Sequence, residues 1–184
     1  YLHVTPKRPD GYHNLVTVMC CVRLYDTITL TTHVKKTSVS CSNPKVPEDK
    51  KNIAFKAADL FFNRLNINEG VKIRINKEIP VAAGLGGGSS NAAAVFLGLN
   101  RCYGSPFSLD DLMAMGISIG TDVHFFLLGK PAMAKGVGEK LEVLNELPSY
   151  KVLLVYPGFA VSTAEVYKKF DFGLTKCKKK LKQS

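Results

Sequence analysis

The 184-residue chain reads as a mixed α+β domain. Two patterns point there. Val71-Lys72-Ile73-Arg74-Ile75 alternates apolar and basic residues, which is strand periodicity. It leads through Ile79-Pro80-Val81-Ala82-Ala83 into Gly84-Leu85-Gly86-Gly87-Gly88-Ser89-Ser90, and then into alanine-rich helix-forming sequence from Ala92 to Leu99. Around this strand–glycine loop–helix unit, short β-patterned runs and helical patterns mix without repeats or low-complexity segments.

Strands are expected at Tyr1–Val4, Leu15–Arg23, Thr27–Thr32 and Thr37–Ser42, with a turn over Pro6–Gly11. A polar loop with two prolines, Asn43–Lys51, precedes a helix over Ile53–Leu65, whose apolar residues recur near helical spacing and whose N-cap is Asn52. The strand Val71–Asn76, the glycine loop and a helix from about Ser90 to Cys102 follow. Ser108 is placed to cap a helix over Leu109–Met115, with Asp110 and Asp111 in its first turn. Asp122–Leu127 reads as a short helix, Ala132–Ala134, Lys140–Val143 and Lys151–Tyr156 as strands, and Ser162–Phe170 as a helix.

Composition is that of a globular protein, 46% hydrophobic and 22% charged, and no stretch approaches the length of a membrane span. The five cysteines form no C-x-x-C, so neither a zinc site nor a disulfide framework is indicated, and a reducing cytosol fits. The formal net charge of +10 favours polyanionic partners, nucleotides or nucleic acid. Part of it is the lysine-rich tail from Lys176 to Lys182, read as a solvated helix face or frayed end. Aromatics do not interleave with the basic residues as a single-strand-binding groove would need.

The glycine loop carries the chemistry. Glycines let backbone N–H groups approach an anion closely, and a helix N-terminus adds free donors and partial positive charge. Phosphate is the ligand this geometry suits. No Gly-Lys-Ser/Thr follows, so it is not a Walker A loop, and Ser89 stands where a dinucleotide fingerprint has its third glycine. A flexible turn is the plainer alternative.

This string resembles the phosphate-binding motif of the GHMP kinases. Three further segments, Arg8-Pro9-Asp10-Gly11-Tyr12-His13, Gly120-Thr121-Asp122-Val123-His124-Phe125-Phe126 and Ala134-Lys135-Gly136-Val137-Gly138-Glu139, resemble the branch of that family that phosphorylates a CDP-linked methylerythritol in non-mevalonate isoprenoid synthesis. The four occur in family order across nearly the whole chain. The resemblance implies a ribosomal protein S5 domain 2-like N-terminal lobe and an ATP-dependent kinase of a small-molecule alcohol, with Mg2+ accompanying ATP. It implies ATP contacts from Gly84, Leu85, Gly86, Gly87, Gly88, Ser89 and Ser90, with Lys77 and Asn52 near the adenine. Asp122 matches the family's catalytic base, and Tyr12, His13 and Tyr167 match residues that read cytosine. The residues themselves leave other roles open: a helix cap for Asp122 and Asn52, a solvated strand end for Lys77, a core-facing helix residue for Tyr167. No carboxylate cluster marks a dedicated metal cage, so the phosphates would supply most Mg2+ ligands. His124 replaces the family's usual proline, and Ala82 and Ala83 stand where glycine is frequent.

The resemblance also sets a domain expectation. Residues 1–157 correspond to the N-terminal lobe with its first strand incomplete and lacking the family's opening lysine motif, and 158–184 to the start of a second lobe. Such a piece alone would be a weak catalyst or a nucleotide-binding fragment. The expected setting is the bacterial cytoplasm, or the plastid stroma for a plant or algal source, with no membrane partner. Two rivals remain: another GHMP kinase such as homoserine kinase, against which Gly11-Tyr12-His13 argues, and a basic nucleic-acid-binding module of S5-like fold, against which the glycine loop argues.

Overall fold

A computed structural model describes residues 2–7, 13–145 and 147–158. Seven strands and four helices follow one another among them: β1 (Leu2–Lys7), β2 (His13–Met19), β3 (Thr27–Val34), β4 (Ser38–Cys41), α1 (Ile53–Leu65), β5 (Gly70–Asn76), α2 (Gly87–Cys102), α3 (Leu109–Ile119), α4 (Val123–Leu128), β6 (Ala132–Gly136) and β7 (Lys140–Val143). The strands form two sheets. One has the order β1-β2-β6-β7, antiparallel throughout, and the other the order β3-β5-β4, with β3 antiparallel and β4 parallel to β5.

The alternation in β5 decides the layering. Val71, Ile73 and Ile75 are buried while Lys72 and Arg74 on the other face are exposed. The buried face shares one hydrophobic core with the apolar stripes of α1 (Ala54, Ala57, Ala58, Phe61) and α2 (Ala92, Val95, Phe96, Leu99), together with Leu112 and Met115 of α3 and Val123 and Leu127 of α4. Small alanines on α1 and α2 let these helices pack closely. Phe61 and Phe96, both fully buried, each contribute about 1.5–3 kcal/mol relative to an exposed ring.

The helix ends follow the local chemistry. Asn52 accepts from the Ala54 N–H at 2.9 Å and caps α1. Ser108 and Asp111 form a reciprocal capping box at the start of α3. That helix runs on to Ile119, past the expected end at Met115, because Met115 and Gly116 are buried and extend the apolar stripe. α2 begins at Gly87, three residues before the expected start near Ser90, and the Ser90 N–H already bonds the Gly86 carbonyl at 2.9 Å.

The expected strand over 151–156 is absent: the segment has no regular structure, and Leu153 and Val155 are 87% and 82% exposed. Its apolar run suits a strand, yet no sheet edge among the described residues pairs with it. β2 ends at Met19 rather than Arg23, because β6 pairs it only as far as Ala132 opposite Met19. The helix expected at 162–170, and the segment 159–184 with it, lie outside the described residues.

Candidate active site

The glycine loop divides two cavities. The first, about 370 Å3, is walled by the Gly84–Ser89 backbone on one side and by Val46, Pro47, Asn52, Ile53 and Lys77 on the other. The second, about 320 Å3, shares Gly84, Leu85 and Gly86 and is completed by Ser90, Asp122, Phe126 and the Met19–Tyr25 region. One loop therefore faces two potential ligands.

Its backbone is built for close approach. Gly86, the N-cap of α2, lies at φ +65°, and a Cβ there would come within 2.8 Å of the Phe126 ring. A Cβ on Gly87 would meet the Lys77 Nζ at 2.9 Å. Being glycine, Gly86 offers no capping side chain, so the N–H groups of the first turn, Gly87, Gly88 and Ser89, have no intrahelical acceptor. They sit at the positive end of a helix from Gly87 to Cys102, on a cavity wall. This donor set fits a nucleotide's phosphates.

Lys77 is not a solvated strand end. Its Nζ pairs with Asp26 Oδ2 at 2.6 Å and donates to the Ile79 carbonyl at 2.8 Å, with the two side chains 4% and 1% exposed. Asp26 Oδ1 accepts from the N–H groups of Glu78 and Ile79 at 2.8 and 2.9 Å. The pair clamps the approach to the glycine loop from β5. Asp26 escaped the sequence reading because a single acidic residue before a strand reads as a turn.

Asn52 lines the first cavity, but its amide is occupied. Oδ1 caps α1, and Nδ2 donates to the Pro47 carbonyl at 2.7 Å. Its structural role, one of the two that the sequence left open, is thus present.

Asp122 occupies the N-cap position of α4, yet its carboxylate makes no capping hydrogen bond. It is exposed and on the wall of the second cavity. A Cβ on Gly120 would stand 3.8 Å from Ser89 Oγ, so the segment leading to Asp122 runs beside the glycine loop. Next to it, His124 is 1% exposed, and neither ring nitrogen has a hydrogen-bond partner. Burial lowers its pKa, while the Asp122 charge and the nearby backbone of Thr121, Glu139 and Gly138 pull weakly the other way.

Tyr12 and Tyr167 lie outside the described residues. The His13 backbone opens β2 opposite Lys7. The Met19–Tyr25 wall went unnoticed in the sequence, since nothing in an apolar run marks it as cavity lining.

These features coincide with similarity to known proteins. Residues 52–130 match the family model of the GHMP kinases N terminal domain. That match takes in α1, β5, the glycine loop, α2, α3 and α4, and the α+β architecture is consistent with an S5-like lobe. Over most of its length the chain is similar to 4-diphosphocytidyl-2-C-methyl-D-erythritol kinases. It is 48% identical to that kinase of Bacillus licheniformis over 91% of this chain and 58% of the relative. It is 42% identical to that of Syntrophus aciditrophicus over 96% of this chain and 63% of the relative. A crystal structure of 4-(cytidine 5'-diphospho)-2C-methyl-D-erythritol kinase superposes with a TM-score of 0.73 at 36% identity, over 91% of this chain and 59% of that one. The chain thus spans about three fifths of the length of the curated relatives it matches.

Proposed function

We propose that this domain provides the phosphate loop and the base for ATP-dependent phosphorylation of a hydroxyl of 4-diphosphocytidyl-2-C-methyl-D-erythritol, in non-mevalonate isoprenoid precursor synthesis. The observation that carries the reading is the single glycine loop between two cavities, with Asp122 uncapped and exposed on one of them. ATP would lie in the first cavity, its phosphates on the Gly87–Ser89 amides, with Ser89 and Ser90 hydroxyls at hand; it supplies the transferable phosphoryl group. The acceptor hydroxyl would enter the second cavity, where Asp122 takes up its proton. Phosphoryl transfer needs mainly positioning and charge stabilisation, and a loop shared by both cavities serves both.

Among the described residues no group of three or more His, Cys, Asp or Glu side chains could hold a metal ion. A magnesium ion would therefore be carried chiefly by the phosphates. No helix of the described residues is long and apolar enough to cross a membrane. A bacterial cytoplasmic setting, or a plastid one, belongs to the same proposal, as do cytosine contacts by Tyr12, His13 and Tyr167, and an adenine-side wall from Asn52 and Lys77.

The test is an ADP-release assay with the CDP-linked methylerythritol against homoserine and mevalonate as acceptors. Activity confined to the first, reduced about 100- to 10,000-fold in Asp122→Asn with ATP-analogue affinity unchanged, is the expected result. Full activity in Asp122→Asn would remove the assigned base.

A further inference from the structure

The second cavity contains a group that phosphoryl transfer does not use. Cys20 and Cys21 are adjacent in sequence, both exposed, both free, and both on the wall that also holds Asp122 and Phe126. They follow β2 directly, where the backbone has left the sheet. Strand geometry would send neighbouring side chains to opposite faces; here both residues line one cavity. Cys41 and Cys102 have no cysteine neighbour in sequence and line neither this cavity nor the first one.

We propose that Cys20 and Cys21 form a vicinal dithiol site for a trivalent organoarsenic group, an arsenoxide, and that capture fills the second cavity while leaving the first open. An arsenoxide brings its own carbon ligand and needs only two thiols. The described residues offer no cluster of three or more ligands, as a three-ligand metal site would require. In the reaction two S–H bonds break and two As–S bonds form. The arsenic–oxygen bond is lost, and its oxygen leaves with both thiol protons as water. Arsenic stays trivalent, so no oxidant or reductant is needed.

The electrostatics favour this ligand over reagents that need a free thiolate. Partial burial, and then the neighbouring Cys20, push the Cys21 thiol up, and a raised thiol is a poor nucleophile toward alkylating agents and peroxide at neutral pH. Bridging by arsenic removes both protons without leaving two adjacent negative charges. That capture also excludes the acceptor rests on the function proposed above.

The experiment uses phenylarsine oxide on the full chain, with intact mass, reversal by a competing dithiol, and methyl and aromatic NMR. One adduct per chain is expected. Cys20→Ser and Cys21→Ser each weaken retention about 100-fold, because the second bond is intramolecular. Signals of Phe125, Phe126 and Tyr25 move, and those of Val46 and Ile53 do not. Equal retention by either single variant would overturn the dithiol, and shifts confined to Val46 and Ile53 would overturn its placement. Loss of binding of the CDP-linked methylerythritol in the adduct is the further expectation; retained binding would overturn the filling of the cavity. If the unmodified chain fails to bind that acceptor, the assignment of the substrate falls, while mass and NMR still decide the dithiol site.

Discussion

Ala82 lies at φ +56°, in the left-handed region that costs an L-residue roughly 1–2 kcal/mol. It stands where GHMP kinases frequently carry glycine. Ala82→Gly is therefore expected to leave stability unchanged or raise it by up to about 1 kcal/mol, despite glycine's larger unfolded-state entropy. Urea unfolding checks this. Gly86 gives the opposite case, because its positive φ and the Phe126 ring both oppose a side chain. Gly86→Val should weaken ATP-analogue binding at least about tenfold by calorimetry, while also costing about 1–3 kcal/mol of stability. Unchanged affinity in a folded variant would contradict the phosphate role of the loop.

His124 adds a pH dependence at the same scale. Burial lowers its folded pKa below the ordinary value near 6.5. The unfolded chain then binds the proton more readily than the folded one. Stability from this group is complete above that ordinary value and is lost as pH falls below it toward the lowered folded pKa. His124→Phe, which cannot titrate, should show a shallower loss between pH 7.5 and 5.5 than the parent in denaturant midpoints. Parallel curves would mean that the imidazole is not protonated differently in the two states.

At the scale of elements, the Asp26–Lys77 pair ties the start of β3 to the end of β5 and so fixes where the glycine loop begins. Removing one partner leaves a buried charge, which costs about 3–5 kcal/mol, whereas neutralising both costs far less. Lys77→Met should fall in that range. Asp26→Asn combined with Lys77→Met should recover most of the loss, because asparagine keeps an acceptor for the Glu78 and Ile79 amides. A double-mutant cycle by urea unfolding measures the coupling. Additive losses would show that the clamp is not a unit. The sequence disclosed both β5 and Lys77 but could not pair Lys77 with a residue 51 positions away. That contact exists only once β3 lies against β5.

The whole molecule sets one loop between two cavities, and this arrangement makes a prediction that neither cavity makes alone. ADP and CMP should bind together, each affinity changing by no more than about twofold in the presence of the other. Competition between them, in calorimetric titrations, would mean that one cavity takes both. Similarity to the methylerythritol kinases covers nearly the whole of this chain and about three fifths of theirs. The proposed cytosine contacts of Tyr12, His13 and Tyr167 are sequence matches, and the proposed phosphate contacts draw on the geometry of the glycine loop.

The sequence by itself determined the α+β class, the helix Ile53–Leu65 with its Asn52 cap, the Ser108 cap, and the strand–glycine loop–helix unit. These follow from short-range physics: periodicity, capping and glycine's backbone freedom are properties of neighbouring residues. Tertiary structure decided the rest. It paired Lys77 with Asp26, 51 positions away, and it left the Asp122 carboxylate without a capping hydrogen bond on a cavity wall. It also brought Cys20 and Cys21 onto the lining of the cavity that Asp122 lines, and left 151–156 without a strand partner among the described residues. Each of these depends on groups far apart in the chain. Burial and hydrogen-bond pairing are set by which surfaces meet, and no local pattern encodes that meeting.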